Sequence, residues 1–356
     1  MKSESMKILF AYVLFASALL IGPFATCDAV GQETKPQSKT QSKSDAKLEV
    51  NPETNPETKP EGFQMEFDQA EEKVWEFGLR LSCSNGIAEK VSVAVPVPIA
   101  WPEQKVELLD ENRSGNIGKI TYRTLDRSAR FMAFRITKLG DGDVAEATVR
   151  YRVTRGSTLA PEDTTDFRIA KKLTGRTKSW LRPSPFIESK EKRIVDIGKK
   201  LAAETKTLSD WEQVEAIYTW VRENVEYKFD QQIHSCVAAL DAGHGDCEEL
   251  SSLFIAICRS RGIPARAVWV PGHTYPEFYL EDKTGKGHWF PCQAAGARHE
   301  FGEMREHRPI LQKGDRFKLP GKGRTVERYV KPTVSAVHAT GSLKIEEWIM
   351  REVESK

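Results

Sequence analysis

The chain has 356 residues, of which 39% are hydrophobic and 29% are charged, so it is long enough for one large domain or two ordinary domains with buried cores. Lysine and arginine total 53 against 51 for aspartate and glutamate, which leaves a net charge of +2. This balance gives no electrostatic basis for binding nucleic acid, and a polyanionic partner is not expected.

Residues 1–29 have the pattern of a signal peptide for secretion. Lys2 and Lys7 precede or border the apolar run ILFAYVLFASALLIGPFA, and small residues follow it. The pattern indicates an exported protein of the periplasm, the cell envelope or the extracellular medium. A retained anchor is the alternative, because the apolar run approaches the length that spans a bilayer. The membrane would then be contacted only through this uncleaved N-terminal segment.

Residues 30–62 have the composition of a disordered linker. The stretch lacks aromatic residues, is rich in Lys, Gln, Ser, Thr, Glu and Pro, and contains NPET twice. Such a segment cannot bury a hydrophobic core, so we expect a flexible tether.

Residues 63–158 alternate short β-type runs with turn clusters. Runs such as KVSVAVPVPI and VAEATVRYRVT are separated by clusters such as SGNIG and GDGD. This pattern predicts an all-β sandwich domain with antiparallel strands. The loop DENRSGNIG imitates the start of a calcium-binding loop, but Thr121 stands where a bidentate glutamate is needed. A plain hairpin turn is therefore the preferred interpretation.

Two helices with clear start signals follow in the second half of the chain. Ser209 and Glu212 form a capping box before an apolar stripe that predicts a core helix. Asp246 and Glu249 form the aspartate version of the same box at the next helix. A glycine and a proline at 262 and 264 then end that helix.

Cys247 occupies the first position of the second helix and is the candidate nucleophile. The partial positive charge at a helix N-terminus stabilises a thiolate, so we expect a lowered pKa for this thiol. Cys258 lies on the apolar stripe of the same helix and is expected to be inert. Without the signal segment five cysteines remain, so at least one is unpaired. No cysteine or histidine spacing is typical of a zinc site, and neither a metal nor a cofactor is predicted.

A reactive thiol needs a base, and His273 is the best-placed candidate. The stretches ARAVWV, HTYPEFYLE and HWFPCQ predict three strands, with a turn at DKTGKG between the last two. His273 starts the second strand and Gln293 ends the third. If the hairpin closes around Thr284, the side chains of His273 and Gln293 come within reach of each other.

Three other groups near these residues are weaker candidates. Glu277 lies four residues along the strand from His273, about 13 Å away, which is too far for a direct hydrogen bond. Asp246 is expected to be occupied as the helix cap. His244 precedes Cys247 by three residues, but it lies in a loop of flexible composition, AGHG.

The stretches GDCEELSSLFIAICRSRGIPARAV, GHTYPEFYLED and GHWFPC, preceded by WEQVEAIYTWVRENVEYKF, resemble the transglutaminase-like superfamily of cysteine acyltransferases and proteases. The resemblance implies an α+β fold with a papain-like core, in which a helix carrying the cysteine packs on an antiparallel sheet. It also implies that Cys247 is the nucleophile and His273 the base. The catalytic domain with a C-terminal extension would then span residues 159–356, after the β-sandwich domain.

The sequence departs from the family at Gln293, where family members usually carry an aspartate. An amide oxygen can still accept the imidazole N–H, although it adds no negative charge. The expected function is a cysteine-dependent acyl-transfer enzyme that forms a thioester from protein or peptide amides, with hydrolysis or transamidation as the outcome. The alternative is a catalytically impaired binding module at the cell envelope.

Overall fold

The computed structural model describes residues 62–68, 70–319, 323 and 325–354. The predicted signal peptide and almost all of the predicted linker lie outside these residues and stay predictions. Within the described ranges, no helix combines the length and apolar character needed to cross a membrane. The fold is α+β with mainly antiparallel sheets, as the sequence indicates.

Six strands fill the first part of the described chain. They are β1 (Glu71–Ser84), β2 (Ala88–Val97), β3 (Gln104–Arg113), β4 (Thr121–Leu125), β5 (Ala129–Leu139) and β6 (Val144–Arg155). Successive side chains of a strand point to opposite faces. In β1, Phe77, Leu79 and Leu81 are accordingly buried, while Arg80 between them is exposed.

Five helices follow, and both predicted capping boxes are present at the starts of the third and the fifth. The helices are α1 (Gly175–Ser179), α2 (Lys192–Glu204), α3 (Asp210–Asn224), α4 (Cys236–Ala242) and α5 (Cys247–Ser260). Gly262, with φ of 78°, follows α5 in the left-handed conformation that glycine adopts without strain.

The remaining strands are interleaved with the helices or follow them. They are β7 (Glu226–Tyr227), β8 (His244–Gly245), β9 (Ala265–Val270), β10 (His273–Glu281), β11 (Gly287–Pro291), β12 (Gln312–Lys313), β13 (Thr333–Ser335), β14 (His338–Ala339) and β15 (Ser342–Val353). The three strands predicted after the cysteine helix are β9, β10 and β11, and they pair antiparallel in that order.

Two large sheets carry most of these strands. One has the order β15-β1-β6-β3, and the other has the order β11-β10-β9-β12-β5-β2-β13. The short strand β12 joins the two halves of the second sheet, because Gln312 lies opposite both Ala129 in β5 and Trp269 in β9. The hairpin with His273 is therefore continuous with the strands of the predicted sandwich.

The predicted domain boundaries stay a prediction, but strand pairing links the two predicted domains. The last strand, β15, pairs antiparallel with β1, from Val353 opposite Val74 to Ser342 opposite Ser84. The C-terminal strand of the predicted catalytic domain thus completes a sheet that begins in the predicted sandwich.

The helix that begins at Cys247 is the centre of the larger core. Every residue of α5 from Glu249 to Arg259 is buried. The helix contacts α2, α3 and α4 as well as β9 and β10. Because α5 is enclosed along this length, its first residue has a fixed position relative to the hairpin β10–β11.

A buried ion pair holds the far end of α5. Arg259 Nη2 lies 2.7 Å from Asp315 Oδ2, and both side chains are 0% exposed. Asp315 also accepts hydrogen bonds from Ser184 Oγ at 2.6 Å and from the Ala267 amide at 3.3 Å. The charge of Arg259 is therefore compensated in a place that water does not reach.

We expect Asp315→Ala to lower the free energy of unfolding by about 3–5 kcal/mol, because it leaves the arginine charge buried without a partner. Urea unfolding followed by circular dichroism measures this loss. Asp241→Ala is the matched control, since its ion pair with Arg193 is exposed and should contribute far less. Equal losses in the two variants would contradict the structural role assigned to Asp315.

Candidate active site

The helix cap fixes the position of Cys247. Asp246 Oδ1 accepts a hydrogen bond from the Glu248 amide at 2.7 Å, and Glu249 Oε2 accepts one from the Asp246 amide at 3.0 Å. The cap thus binds the amides of the residues on either side of Cys247, whereas the amide of Cys247 itself forms no hydrogen bond with the cap. Cys247 is partly exposed, whereas the other four cysteines of the described residues are buried.

Glu249 also ties a neighbouring loop to the start of α5. Its second oxygen, Oε1, accepts a hydrogen bond from the His234 amide at 2.6 Å. Burial, and then the nearby Glu249 carboxyl group, raise the pKa of Asp246 to about 8. The raised pKa of Asp246 reflects the cost of placing a second negative charge beside Glu249 in a site that is largely shielded from water.

Arg328, from the segment before β13, holds the first turn of α5 from another side. Its Nη2 donates to Ser252 Oγ at 2.6 Å, and its Nε donates to Glu248 Oε2 at 3.2 Å. The arginine is 4% exposed, so these contacts are shielded from water. Two independent groups, the cap and Arg328, therefore fix the turn that carries the candidate nucleophile.

Contacts to Thr274 place the start of α5 against the start of β10. The Thr274 amide lies near the Cys247 sulfur and lowers the pKa of its thiol, and Ser251 Oγ donates to the Thr274 carbonyl at 3.4 Å. His273 is the residue before Thr274 and the first residue of β10. The predicted nucleophile and the predicted base are thus brought to the same corner of the fold.

Gln293 meets His273 as predicted. His273 Nε2 lies 2.9 Å from Gln293 Oε1. In the β10–β11 register, Glu277 lies opposite Pro291. If this register is continued by two residues, Gln293 lies on the same face of the hairpin as His273 and diagonally across from it. Because an amide oxygen only accepts hydrogen bonds, Nε2 carries the proton of the neutral ring and Nδ1 keeps its lone pair.

The expectation that the helix start lowers the pKa of Cys247 is wrong. Burial, and then the adjacent Asp246 carboxylate, raise the pKa of this thiol to about 12, although the Thr274 amide acts in the opposite direction. Burial and the positive charge of Arg308 lower the pKa of His273, against the smaller effect of its hydrogen bond to Gln293. At neutral pH the site therefore holds a neutral thiol and a neutral imidazole.

Two of the three weaker candidates for a role beside Cys247 and His273 are bound to other residues. Glu277 Oε2 lies 2.6 Å from Arg266 Nη2, and the same carboxylate binds Lys313, so it takes no part in holding His273. Asp246 is the cap, as predicted. His244 lies in β8, and its ring forms no hydrogen bond or ion pair with any other described residue. Among the described residues, no cluster of three or more His, Cys, Asp or Glu side chains is arranged to hold a metal ion.

Arg222 also contacts the site, although no sequence pattern predicts it. Its Nη1 donates to the Gln293 carbonyl at 2.7 Å, and its Nη2 donates to the Gly296 carbonyl at 2.7 Å. The sequence contains one hint, because Arg222 is a basic residue in the last turn of α3, where a cation also suits the helix dipole. That hint favours a surface role and does not indicate contact with residue 293.

Comparison with known proteins supports the family resemblance. Residues 197–294 match the family model described as transglutaminase-like superfamily, and this range contains Cys247, His273 and Gln293. A solved structure from Cytophaga hutchinsonii, described as a candidate cysteine protease, aligns with a TM-score of 0.51 at 16% identity and covers 82% of this chain and 94% of its own. No curated protein matches the sequence.

Two further solved structures align more loosely. The periplasmic domain of TgpA from Pseudomonas aeruginosa, bound to ethylmercury, has a TM-score of 0.32 at 12% identity over 64% of this chain and 90% of that one. A candidate protease from Parabacteroides distasonis has a TM-score of 0.24 at 12% identity over 60% of this chain and 47% of that one. The Cytophaga protein and the family model therefore support the fold. Over residues 197–294, this chain is thus similar to the transglutaminase-like superfamily.

Proposed function

We propose that this protein is an exported, cysteine-dependent acyl-transfer enzyme that acts on protein or peptide amides through a thioester at Cys247. The observation that carries the proposal is the 2.9 Å contact between His273 Nε2 and Gln293 Oε1, at the strand start that also contacts the Cys247 sulfur. A structural histidine needs no such orientation beside a partly exposed thiol.

In the first step, Nδ1 of His273 takes the thiol proton while the sulfur of Cys247 attacks the amide carbonyl carbon. The sulfur–carbon bond forms, and the carbonyl electron pair moves to the oxygen. The Cys247 amide, which the cap leaves out, is the proposed donor to that oxyanion. Since thiol and imidazole are both neutral at rest, proton transfer accompanies the attack and does not precede it.

In the second step, the imidazolium returns its proton to the leaving nitrogen, the carbon–nitrogen bond breaks, and a thioester remains. His273 then removes a proton from water or from an amine, which attacks the thioester carbon and releases the Cys247 thiol. Water gives an acid by hydrolysis, and an amine gives a new amide by transamidation. We favour hydrolysis, because the chain contains no apparent motif that would guide an amine.

Exposed aromatic residues beside the site suit a peptide substrate. Tyr227 is 50% exposed and Phe229 is 65% exposed. Tyr227 pairs with Gly245, two residues before Cys247, and burial and the nearby Cys247 thiol raise the pKa of the Tyr227 hydroxyl. Exposed aromatic side chains at this position would contact apolar side chains next to a scissile amide.

The second candidate is a binding module that has lost its activity. The neutral Gln293 and the raised pKa of Cys247 are the observations that favour it. Such a protein would keep the aromatic surface and bind peptides without forming a thioester. The two functions differ in whether a product depends on the Cys247 sulfur.

We expect the purified protein to release new termini or deamidated glutamines from a glutamine-rich protein, in excess of amine incorporation from an added fluorescent primary amine. Mass spectrometry reads all three products. Cys247→Ala should abolish them, whereas Cys83→Ala, which removes a buried thiol of the predicted sandwich, should not. Dominant amine incorporation would overturn hydrolysis, and the lack of any Cys247-dependent product across a broad substrate panel would favour the binding module.

We expect Gln293→Glu to increase the rate at which iodoacetamide alkylates Cys247 at pH 7. The added carboxylate, of the same length, stabilises the imidazolium and raises the pKa of His273, so a thiolate–imidazolium pair forms at lower pH. Each unit by which the pKa of His273 rises increases the population of the thiolate–imidazolium pair about tenfold. Peptide mapping at a series of pH values measures the rate.

Gln293→Met is the matched control for this pH series, because it keeps the side-chain length and removes the carbonyl oxygen. It should alkylate more slowly than the wild type, since neither charge nor hydrogen bond then orients the ring. Superimposable pH profiles for the wild type and both variants would show that Gln293 does not control His273.

A further inference from the structure

The guanidinium of Arg222 joins two points of the loop that follows β11. As described for the site, it donates to the carbonyls of Gln293 and Gly296 at 2.7 Å each. It also lies 3.4 Å from His299 Nε2. A single side chain from α3 therefore spans the loop 293–299 from its beginning to its end.

The loop also holds Gln293 from the other side. The Gln293 amide donates to the Glu300 carbonyl at 2.8 Å, and the neighbouring Cys292 forms a β-bridge with Phe301. Both backbone groups of Gln293 are thus bound beyond the end of β11, one by the loop and one by Arg222. The direction of the Gln293 side chain depends on these two bonds.

Arg222 is half-buried and lies beside other polar side chains. Its guanidinium lies 5.4 Å from the ring centre of Tyr218. Among the described residues, Arg222 Nε, Tyr218 Oη and Glu300 Oε2 are buried and have no hydrogen-bond partner. Unpartnered buried polar atoms reduce stability, so the bonds of Arg222 to the two loop carbonyls, and not a fully paired polar network, hold this side chain in place.

We propose that Arg222 is a positioning residue that acts through Gln293 on the tautomer of His273. This inference rests on the proposed function and extends it. A hydrogen bond weakens steeply once its angle and distance leave a narrow range, so a small rotation of the Gln293 backbone breaks the contact to Nε2. The arginine prevents that rotation by holding the Gln293 carbonyl.

The neutral charge of Gln293 makes this support necessary. A carboxylate attracts an imidazolium over a distance, whereas an amide stabilises the ring only by a directed hydrogen bond. A glutamine side chain also has more rotatable bonds to fix than an aspartate, which increases the entropy lost on ordering. The orientation that a charge would supply therefore has to come from the backbone.

The test compares Arg222→Met, which removes the donors, with Arg222→Lys, which keeps the charge and can reach one carbonyl at a time. Long-range ¹H–¹⁵N spectra report the His273 tautomer, with the signal assigned by its loss in His273→Gln. Iodoacetamide reports the reactivity of Cys247 in the same samples. Arg261→Met is the matched control, because it breaks a 2.6 Å bond to Gln213 at the far end of α5.

We expect the wild type and Arg261→Met to show the Nε2–H tautomer, and Arg222→Met to show a mixture of tautomers. In Arg222→Met, alkylation of Cys247 should also slow about tenfold, the change that one unit in the pKa of His273 would cause. Arg222→Lys should lie between them. If Arg222→Met does not fold, the lysine variant alone decides, since it must differ from the wild type in tautomer. A wild-type tautomer and alkylation rate in the folded Arg222 variants would overturn the proposal.

The tautomer readout needs no substrate. A changed tautomer in a protein that makes no Cys247-dependent product would therefore support the role of Arg222 and contradict only the acyl-transfer function. An unchanged tautomer in an active enzyme would contradict only the role of Arg222.

Discussion

The capped start of the buried helix α5 is the constraint on which the site depends. The helix is enclosed from Glu249 onwards, so the Asp246–Glu249 box decides which residue stands first against β10. A shift of one residue would turn that position by about 100° around the helix axis and move the sulfur away from Thr274. Arg328 and the loop at His234 reinforce the same turn, so helix, loop and C-terminal segment all converge on Cys247.

The three side chains of the candidate site are neutral, and this determines its chemistry. The thiol of Cys247, the ring of His273 and the amide of Gln293 carry no net charge at neutral pH, because burial raises the pKa of the first and lowers the pKa of the second. Such a site has no preformed ion pair, and its reactivity depends on geometry more than on charge. In the proposed mechanism, a glutamine at the position where the similar family usually has an aspartate leaves the orientation of His273 to the residues that hold the hairpin and its loop.

Local patterns were sufficient to predict much of this arrangement. The capping boxes, the three strands after α5 and the meeting of His273 with Gln293 are all set by residues close in sequence or by the closure of one hairpin. The pairing of β15 with β1 and the contact of Arg222 with Gln293 join segments that no local pattern connects. The pKa of Cys247 was predicted in the wrong direction, because the helix N-terminus is visible in the sequence and the enclosure around the thiol is not.

Cys247 is proposed to carry the acyl group, and trapping that intermediate tests the proposed mechanism. Brief mixing with the activated ester p-nitrophenyl acetate, an acid quench and peptide mapping by mass spectrometry locate the acetyl group. The proposed mechanism predicts one hydroxylamine-sensitive acetyl group on Cys247, formed more slowly in His273→Gln. Acetylation that spares Cys247, or that proceeds equally fast without the imidazole, would contradict it.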